Sequence, residues 1–261
     1  MITGASEGLG KAFAFELASK KFDLILIALP DTGLQFLASF IRKNFEIDVI
    51  SFEFDLTNTT NHIFLFDELS KKNINAQMLV NNAGIGNWSW FEDKSIMFYK
   101  NQIELNVLAP VLLTRLFLEQ VNQNVSSYIL NVGSLGGKFI VPKKQVYGAT
   151  KSFISYFTKC LRIELRSTNT QVCLLSPGGI NTKPELLVLN HTLRGISKKT
   201  ILEPEDVARV AIAGLLNGKK EIVPGIINKL LVVLDSLLPN FVKTQILKKQ
   251  LKIIGHQKTE T

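Results

Sequence analysis

The chain has 261 residues, 46% of them hydrophobic, 20% charged and 9% aromatic, enough apolar side chain to fill a core and to exclude a disordered or low-complexity fibre. At about 150 residues per domain the length suggests two, yet α/β folds use ~250 residues as one unit, and no Gly- or Pro-rich linker interrupts the sequence. Thirty Lys and Arg against 22 Asp and Glu leave a net charge of +8, which permits an anionic ligand, nucleic acid or an anionic membrane surface and proves none of them.

Short apolar runs alternate with longer amphipathic ones. A helical pattern at 9–20 precedes a strand at 24–28, and the alternation continues with a helix at 32–44, a strand at 49–52, a helix at 61–73 and a strand at 78–80. A long helix at 95–123, a strand at 128–132, a helix at 147–167, a strand at 172–175, a helix at 204–217 and a last strand at 221–223 complete it. Near-continuous hydrophobic strands belong to a parallel sheet covered on both faces. The β–α alternation predicts right-handed crossovers and a doubly wound α/β sheet in one domain, residues 1–225. Residues 179–203 depart from it around a weakly helical stretch at 185–193 and read as a substrate lid. The tail, 226–261, begins with an apolar segment and continues as a basic amphipathic stretch at 241–254, expected to pack on the same domain.

Cys160 and Cys173 lie in apolar stretches without metal-type spacing, so a reduced, cytoplasmic protein is expected. His62, His191 and His256 are scattered, are expected on the surface or in loops, and form no metal site. The first motif starts at residue 3 with no signal peptide ahead of it, and no apolar run reaches the ~18 residues of a spanning helix.

Three constellations carry chemistry. Thr3-Gly4-Ala5-Ser6-Glu7-Gly8-Leu9-Gly10 places glycines where backbone must turn tightly and approach a pyrophosphate, just ahead of a helix whose free N–H groups and positive dipole end favour an anion. The spacing is Gly-x-x-x-Gly-x-Gly, not the common Gly-x-Gly-x-x-Gly, and alone it is a weak signal that a purely structural turn also satisfies. Tyr147 and Lys151 stand four apart on a predicted helix and share a face. A phenol titrates near pH ~10, and a fixed ammonium beside it is expected to lower that value and make Tyr147 a usable acid or base. Ser134, just after a strand, can aim its hydroxyl at a carbonyl oxygen. Taken alone, a Tyr-x-x-x-Lys pair is more often an ordinary helix surface pair. Finally, Asn81-Asn82-Ala83-Gly84 ends a strand where doubly wound sheets bind ligands, and Asn106, unfavourable inside a helix, needs a partner, a water or a kink.

Together with Asp55, Pro177-Gly178 and Thr182, these residues resemble the short-chain dehydrogenase/reductase family, in its order and with its 13-residue gap from Ser134 to Tyr147. The resemblance spans about residues 1–225 and implies a seven-stranded Rossmann-type parallel sheet of order 3-2-1-4-5-6-7. It implies that Tyr147 donates the proton, Lys151 binds the nicotinamide ribose, Ser134 orients the carbonyl and Asn106 holds a relay water. It assigns the cofactor to Gly4, Ser6, Gly8, Leu9, Gly10, Asp55, Asn82, Ala83, Gly84, Pro177, Gly178 and Thr182 besides Tyr147 and Lys151, with Asp55 at the adenine and Thr182 near the carboxamide. Members commonly pair through the two long helices, so a homo-oligomer is expected.

The chain departs from the pattern in two places. Only Met1 and Ile2 precede Thr3, a clipped central strand that favours a start farther upstream. Ala28 and Leu29 stand where the family carries the acid that selects NAD or the Arg that selects NADP; with Lys11 or Arg42 as substitute charges, NADP(H) is slightly favoured over NAD(H). The tail resembles the ketoreductase branch related to long-chain 3-oxoacyl reductases. The expected function is NAD(P)-dependent interconversion of a small-molecule carbonyl and a secondary alcohol, the substrate apolar or acyl-chain-like. The alternative is a catalytically silent dinucleotide sensor. The charge alone does not make a nucleic-acid binder, whereas 241–254 has the pattern of a helix lying on an anionic membrane.

Overall fold

The computed structural model describes residues 1–182, 199–239, 241–245 and 247–248; the helical stretch expected at 185–193 and much of the 241–254 stretch lie outside them. Seven strands form one parallel sheet in the order β3-β2-β1-β4-β5-β6-β7, as the family resemblance implies. They are β1 Ile2–Thr3, β2 Leu24–Ala28, β3 Val49–Glu53, β4 Met78–Asn81, β5 Ser127–Val132, β6 Thr170–Leu175 and β7 Glu221–Ile222. The helices are α1 Gly8–Ser19, α2 Leu34–Phe45, α3 Thr59–Lys71, α4 Ile96–Ile103, α5 Ala109–Gln120, α6 Gln145–Glu164, α7 Pro204–Leu216 and α8 Ile226–Leu237.

Every residue of β2 is buried, because side chains alternate between two covered faces. Leu26 joins the cluster built on Phe13, Leu34, Ile41, Val207 and Ile212. Its neighbours Ile25 and Ile27 join the cluster built on Leu65, Phe66, Leu113 and Phe117. The strand order reverses between β1 and β4, so their carboxyl ends open the crevice in which ligands of such sheets bind. β1 is two residues long yet pairs on both sides, Ile2 facing Leu26 and Val80. Ahead of it the Met1 nitrogen donates to the Met78 carbonyl at 2.8 Å.

Two expectations are corrected. The 95–123 helix is not uniform: between α4 and α5, Glu104–Leu108 widens into a π turn, where the Ala109 N–H bonds back to Glu104. Pro110 supplies the cause, since it lacks a donor and its ring would press on the carbonyl four residues earlier, that of Asn106. His62 is buried, not superficial, with Nε2 3.0 Å from the Leu56 carbonyl and its pKa lowered by burial. His191 and His256 lie outside the described residues.

Candidate active site

The glycine turn is built by exclusion of volume. A Cβ on Gly10 would stand 1.9 Å from the Gly4 carbonyl oxygen, a clash with backbone that no rotamer relieves. Gly4 adopts φ +63°, and a Cβ there would lie 3.0 Å from the Ala83 Cα. Across the switch point Thr3 Oγ1 accepts from the Asn82 and Ala83 N–H groups, at 2.9 Å each, and the Asn82 amide donates to the Thr3 and Gly4 carbonyls. The Asn82 side chain therefore holds the shape of the loop. Thr3, which opens the motif, is a staple, a role its place in the sequence did not assign, although a hydroxyl residue ending so short a strand was the available signal.

Helix α1 starts at Gly8 with no side-chain cap from Glu7, so its first N–H groups and dipole face the turn. Leu9 points into the core and can meet a ligand only through its backbone; Ser6 is half-buried in the turn. Thr182 lies over the loop, its Cβ 2.9 Å from where a Gly8 Cβ would be. Asp55 follows β3 at the same sheet edge and accepts from the Thr57 N–H and hydroxyl, at 2.9 and 2.8 Å. This cradle, which side chains at 4, 8 and 10 would fill, fits the diphosphate of a dinucleotide.

Of the two substitute charges, the structure removes Arg42. Its guanidinium donates to the Val49 carbonyl at 3.0 Å, and Val49 pairs with Leu24 at the amino ends of their strands, the edge opposite the glycine turn. Lys11 stays in the first turn of α1, exposed.

The second half of the site comes from β4, β5 and α6. Ser134, extended after β5, accepts from the Gly136 N–H at 3.0 Å and stands near enough to the Tyr147 phenol to act against the rise in its pKa. Gly136 and Gly86 hold the Tyr147 ring edge to edge, a Cβ at Gly86 falling 3.1 Å from it. One turn on, the buried Lys151 donates from Nζ to the Val132 carbonyl at 2.8 Å, 5.9 Å from the centre of the Tyr147 ring. Gly84 leaves room for that ammonium and for Asn106. In the π turn, Asn106 accepts from Ile85 N–H at 2.9 Å and donates to the Ile85 carbonyl at 2.9 Å and Thr150 Oγ1 at 3.1 Å. Thr150, another residue not singled out from sequence, thereby locks α6 to the bulge. The Pro177 carbonyl accepts from Leu135 N–H at 2.8 Å, and Gly178 packs on Asn228 of α8.

The electrostatics correct one expectation. The Tyr147 pKa is raised above the ordinary phenol value, because burial outweighs the opposing effect of Ser134. The ammonium of Lys151 is itself weakened by burial, its pKa pushed down to about 8. The phenol thus holds its proton at neutral pH, the state of a general acid.

Residues 1–186 match the family model described as short chain dehydrogenase. The NADP-dependent 3-hydroxy acid dehydrogenase of Schizosaccharomyces pombe is 29% identical over 229 residues, 85% of this chain and 88% of that protein. The very-long-chain 3-oxoacyl-CoA reductase of Mus musculus is 28% identical over 260 residues, 95% of this chain and 77% of the relative. Among solved structures, a short-chain dehydrogenase from Sphingobium yanoikuyae in complex with NADPH superposes with a TM-score of 0.78 at 24% identity, covering 95% of this chain and 93% of the other. With that match over most of its length and this arrangement of Ser134, Tyr147 and Lys151, the chain belongs to the short chain dehydrogenase family, as an oxidoreductase of the carbonyl–alcohol couple that depends on a nicotinamide dinucleotide.

Proposed function

We propose that Tyr147 is the proton donor to the carbonyl oxygen of the substrate, with Ser134 orienting that oxygen, Lys151 holding the nicotinamide ribose and Asn106 positioning a relay water. The observation that carries this reading is the half-buried phenol beside Ser134, its pKa raised by desolvation, with Lys151 one turn away. A bound nicotinamide dinucleotide supplies or takes the hydride. Gly4, Ser6, Gly8, Leu9, Gly10 and Thr182 would cradle its diphosphate and carboxamide end, and Asp55 its adenine. Asn82, Ala83, Gly84, Pro177 and Gly178 would shape the crevice between. Ser134 and Tyr147 bring two donors to one oxygen, so negative charge developing there is met without reorganisation.

NADP(H) is the preferred form: no acid ends β2, and the S. pombe relative is named as NADP-dependent. The substrate is a small carbonyl compound or its alcohol, with the acyl derivative named for the mouse relative as the apolar extreme. The apolar face of α4 and α6, where Ile103, Phe153 and Tyr156 are exposed, serves a homo-oligomer; sedimentation of a monomer at micromolar concentration would refute this. The exposed Ile226, Leu230, Val233, Leu234 and Leu237 of α8 belong to a stretch of sequence from Lys219 onward that carries eight Lys against three acids, and serve peripheral contact with anionic membrane. No described helix is long and apolar enough to cross a bilayer.

The test of the catalytic assignment is Tyr147→Phe, which removes one donor and little volume. Reduction of a carbonyl panel should fall at least ~100-fold, the lower scale of general acid catalysis, while cofactor still binds. Near-normal turnover would refute the role given to Tyr147.

A further inference from the structure

Helix α8 meets the domain with the wrong kind of residue. Ile226, Leu230, Val233, Leu234 and Leu237 are exposed, while the one fully buried residue of the helix is Asn228, 1% exposed. A helix that docked only by removing apolar surface from water would carry a leucine at this position. The buried amide must instead satisfy two N–H donors and an acceptor. Its Nδ2 donates to the Thr200 carbonyl at 3.1 Å and to the Pro224 carbonyl at 3.0 Å. Two carbonyl partners fix which end of the amide is nitrogen, and Oδ1 is left without a donor among the described residues.

The amide sits where three segments meet. A Cβ on Gly178 would stand 2.8 Å from Nδ2, 3.0 Å from Oδ1 and 3.0 Å from the Thr200 carbonyl oxygen, so the space at Gly178 is what admits Asn228. From Thr200 the chain runs to Leu202, which bridges to Ile180. There the Leu202 N–H donates to the Gly179 carbonyl at 3.0 Å, and the Asn181 N–H donates to the Leu202 carbonyl at 3.2 Å. The next residue is Thr182, which lies over Gly8 of the glycine turn. Asn228 thus reaches the 177–182 loop twice, directly at Gly178 and through the 200–202 segment just ahead of Thr182. An amide left partly unsatisfied costs stability as an anchor; here it joins α8 to the loop that separates the glycine turn from the rest of the cleft.

We propose that Asn228 is a positioning residue for the dinucleotide: by pinning the Thr200 carbonyl against Gly178, it holds the 177–182 loop in the shape that receives the nicotinamide end of the cofactor. This rests on the cofactor contacts proposed above for Gly178 and Thr182. Ser134, Tyr147 and Lys151 are held by other partners, so the amide acts on binding and not on proton transfer. By linkage, bound cofactor in turn tightens the seat of α8.

The experiment compares the wild type with Asn228→Leu, which keeps the volume of the side chain and removes both donors. The Kd for NADPH, read from the emission of the bound nicotinamide, should weaken roughly 10-fold, the scale of one or two lost hydrogen bonds. The KM for NADPH should rise by the same factor, while kcat at saturating cofactor stays within about threefold. Hydrogen exchange supplies a measurement that needs no variant: in the wild type, NADPH should slow amide exchange together in 178–182, 200–203 and 226–230, and in Asn228→Leu the effect on 226–230 should vanish. A variant that melts lower without cofactor but keeps the wild-type Kd and KM for NADPH overturns the proposal, since the amide would then only anchor the helix. Wild-type exchange in which NADPH protects 178–182 and leaves 200–203 and 226–230 unchanged overturns it as well, even if Asn228→Leu does not fold. Weaker NADPH binding in Thr182→Val with none in Asn228→Leu removes Asn228 alone and leaves the cofactor contacts standing. If the folded wild type binds neither NADPH nor NADH, those contacts fall, and the role of Asn228 with them.

Discussion

Replacing Lys151 by Met should make the cofactor-free protein more stable at neutral pH while abolishing turnover. The ammonium is only 6% exposed, and its hydrogen bond goes to the Val132 carbonyl. Burial moves its pKa from 10.5 to about 8; at about 1.4 kcal/mol per pH unit this is a penalty of ~3 kcal/mol at pH ~7. Met keeps the length of the side chain and removes the charge, but it leaves the Val132 carbonyl without its donor, which costs about 1–2 kcal/mol. The net gain is ~1–2 kcal/mol, or a rise in Tm of about 2–5 °C for a chain of this size. The pH dependence has a definite sign. Because the folded pKa is depressed, the unfolded chain binds the proton more tightly between about 8 and 10.5, so the penalty is complete below the lower value and disappears above the upper one. Thermal melts of both proteins should therefore diverge at neutral pH and converge as pH approaches 10.5. A Met variant that melts below the wild type at neutral pH, or an advantage that persists unchanged through that range, would refute the reasoning. Lys151 is on this account a stability cost, retained for the ribose-binding role proposed for it.

Two further outcomes are expected. In a chain that begins at Met1 the terminal amine is buried and its pKa is pushed from 8.0 down to about 5; stability is then lost as pH falls through that window, because the unfolded amine takes up the proton first. A few apolar residues added ahead of Met1 turn this amine into a strand amide, so the extended chain should melt higher, with the gap widening toward pH ~5; equal melting there would argue against any strain at β1. For the tail, co-sedimentation with anionic liposomes should be stronger for the full chain than for one cut after Pro239, and should weaken with salt, since each lysine near such a surface contributes about 1 kcal/mol. Equal, salt-insensitive partitioning would take the stretch after Pro239 out of any membrane contact.

Much of the fold was legible in advance because the physics is local and periodic. Runs such as Leu24–Ala28 admit no exposed face, so they had to be strands covered on both sides, and helices between them had to form the layers. The glycine turn was legible because Gly10 has no substitute at 1.9 Å from a carbonyl. The error over His62 has an equally plain origin: the residue type is usually exposed, and only the packing of α3 on the loop at Leu56 decides otherwise.

The sequence by itself determined the order of elements, the α/β class, the family and the residues at which chemistry gathers, because spacing along helices and at strand ends is a one-dimensional property. Tertiary structure alone decided what those residues experience. Burial raised the Tyr147 pKa where proximity to an ammonium had suggested the reverse, and strand register placed Arg42 at the wrong edge for a cofactor phosphate. The crowding of Pro110 on the preceding turn opened the helix at Asn106, and the path of the chain after β7 brought Asn228 against Gly178 and the Thr200 carbonyl. Desolvation and the convergence of distant segments depend on three-dimensional neighbours, which no spacing along the chain encodes.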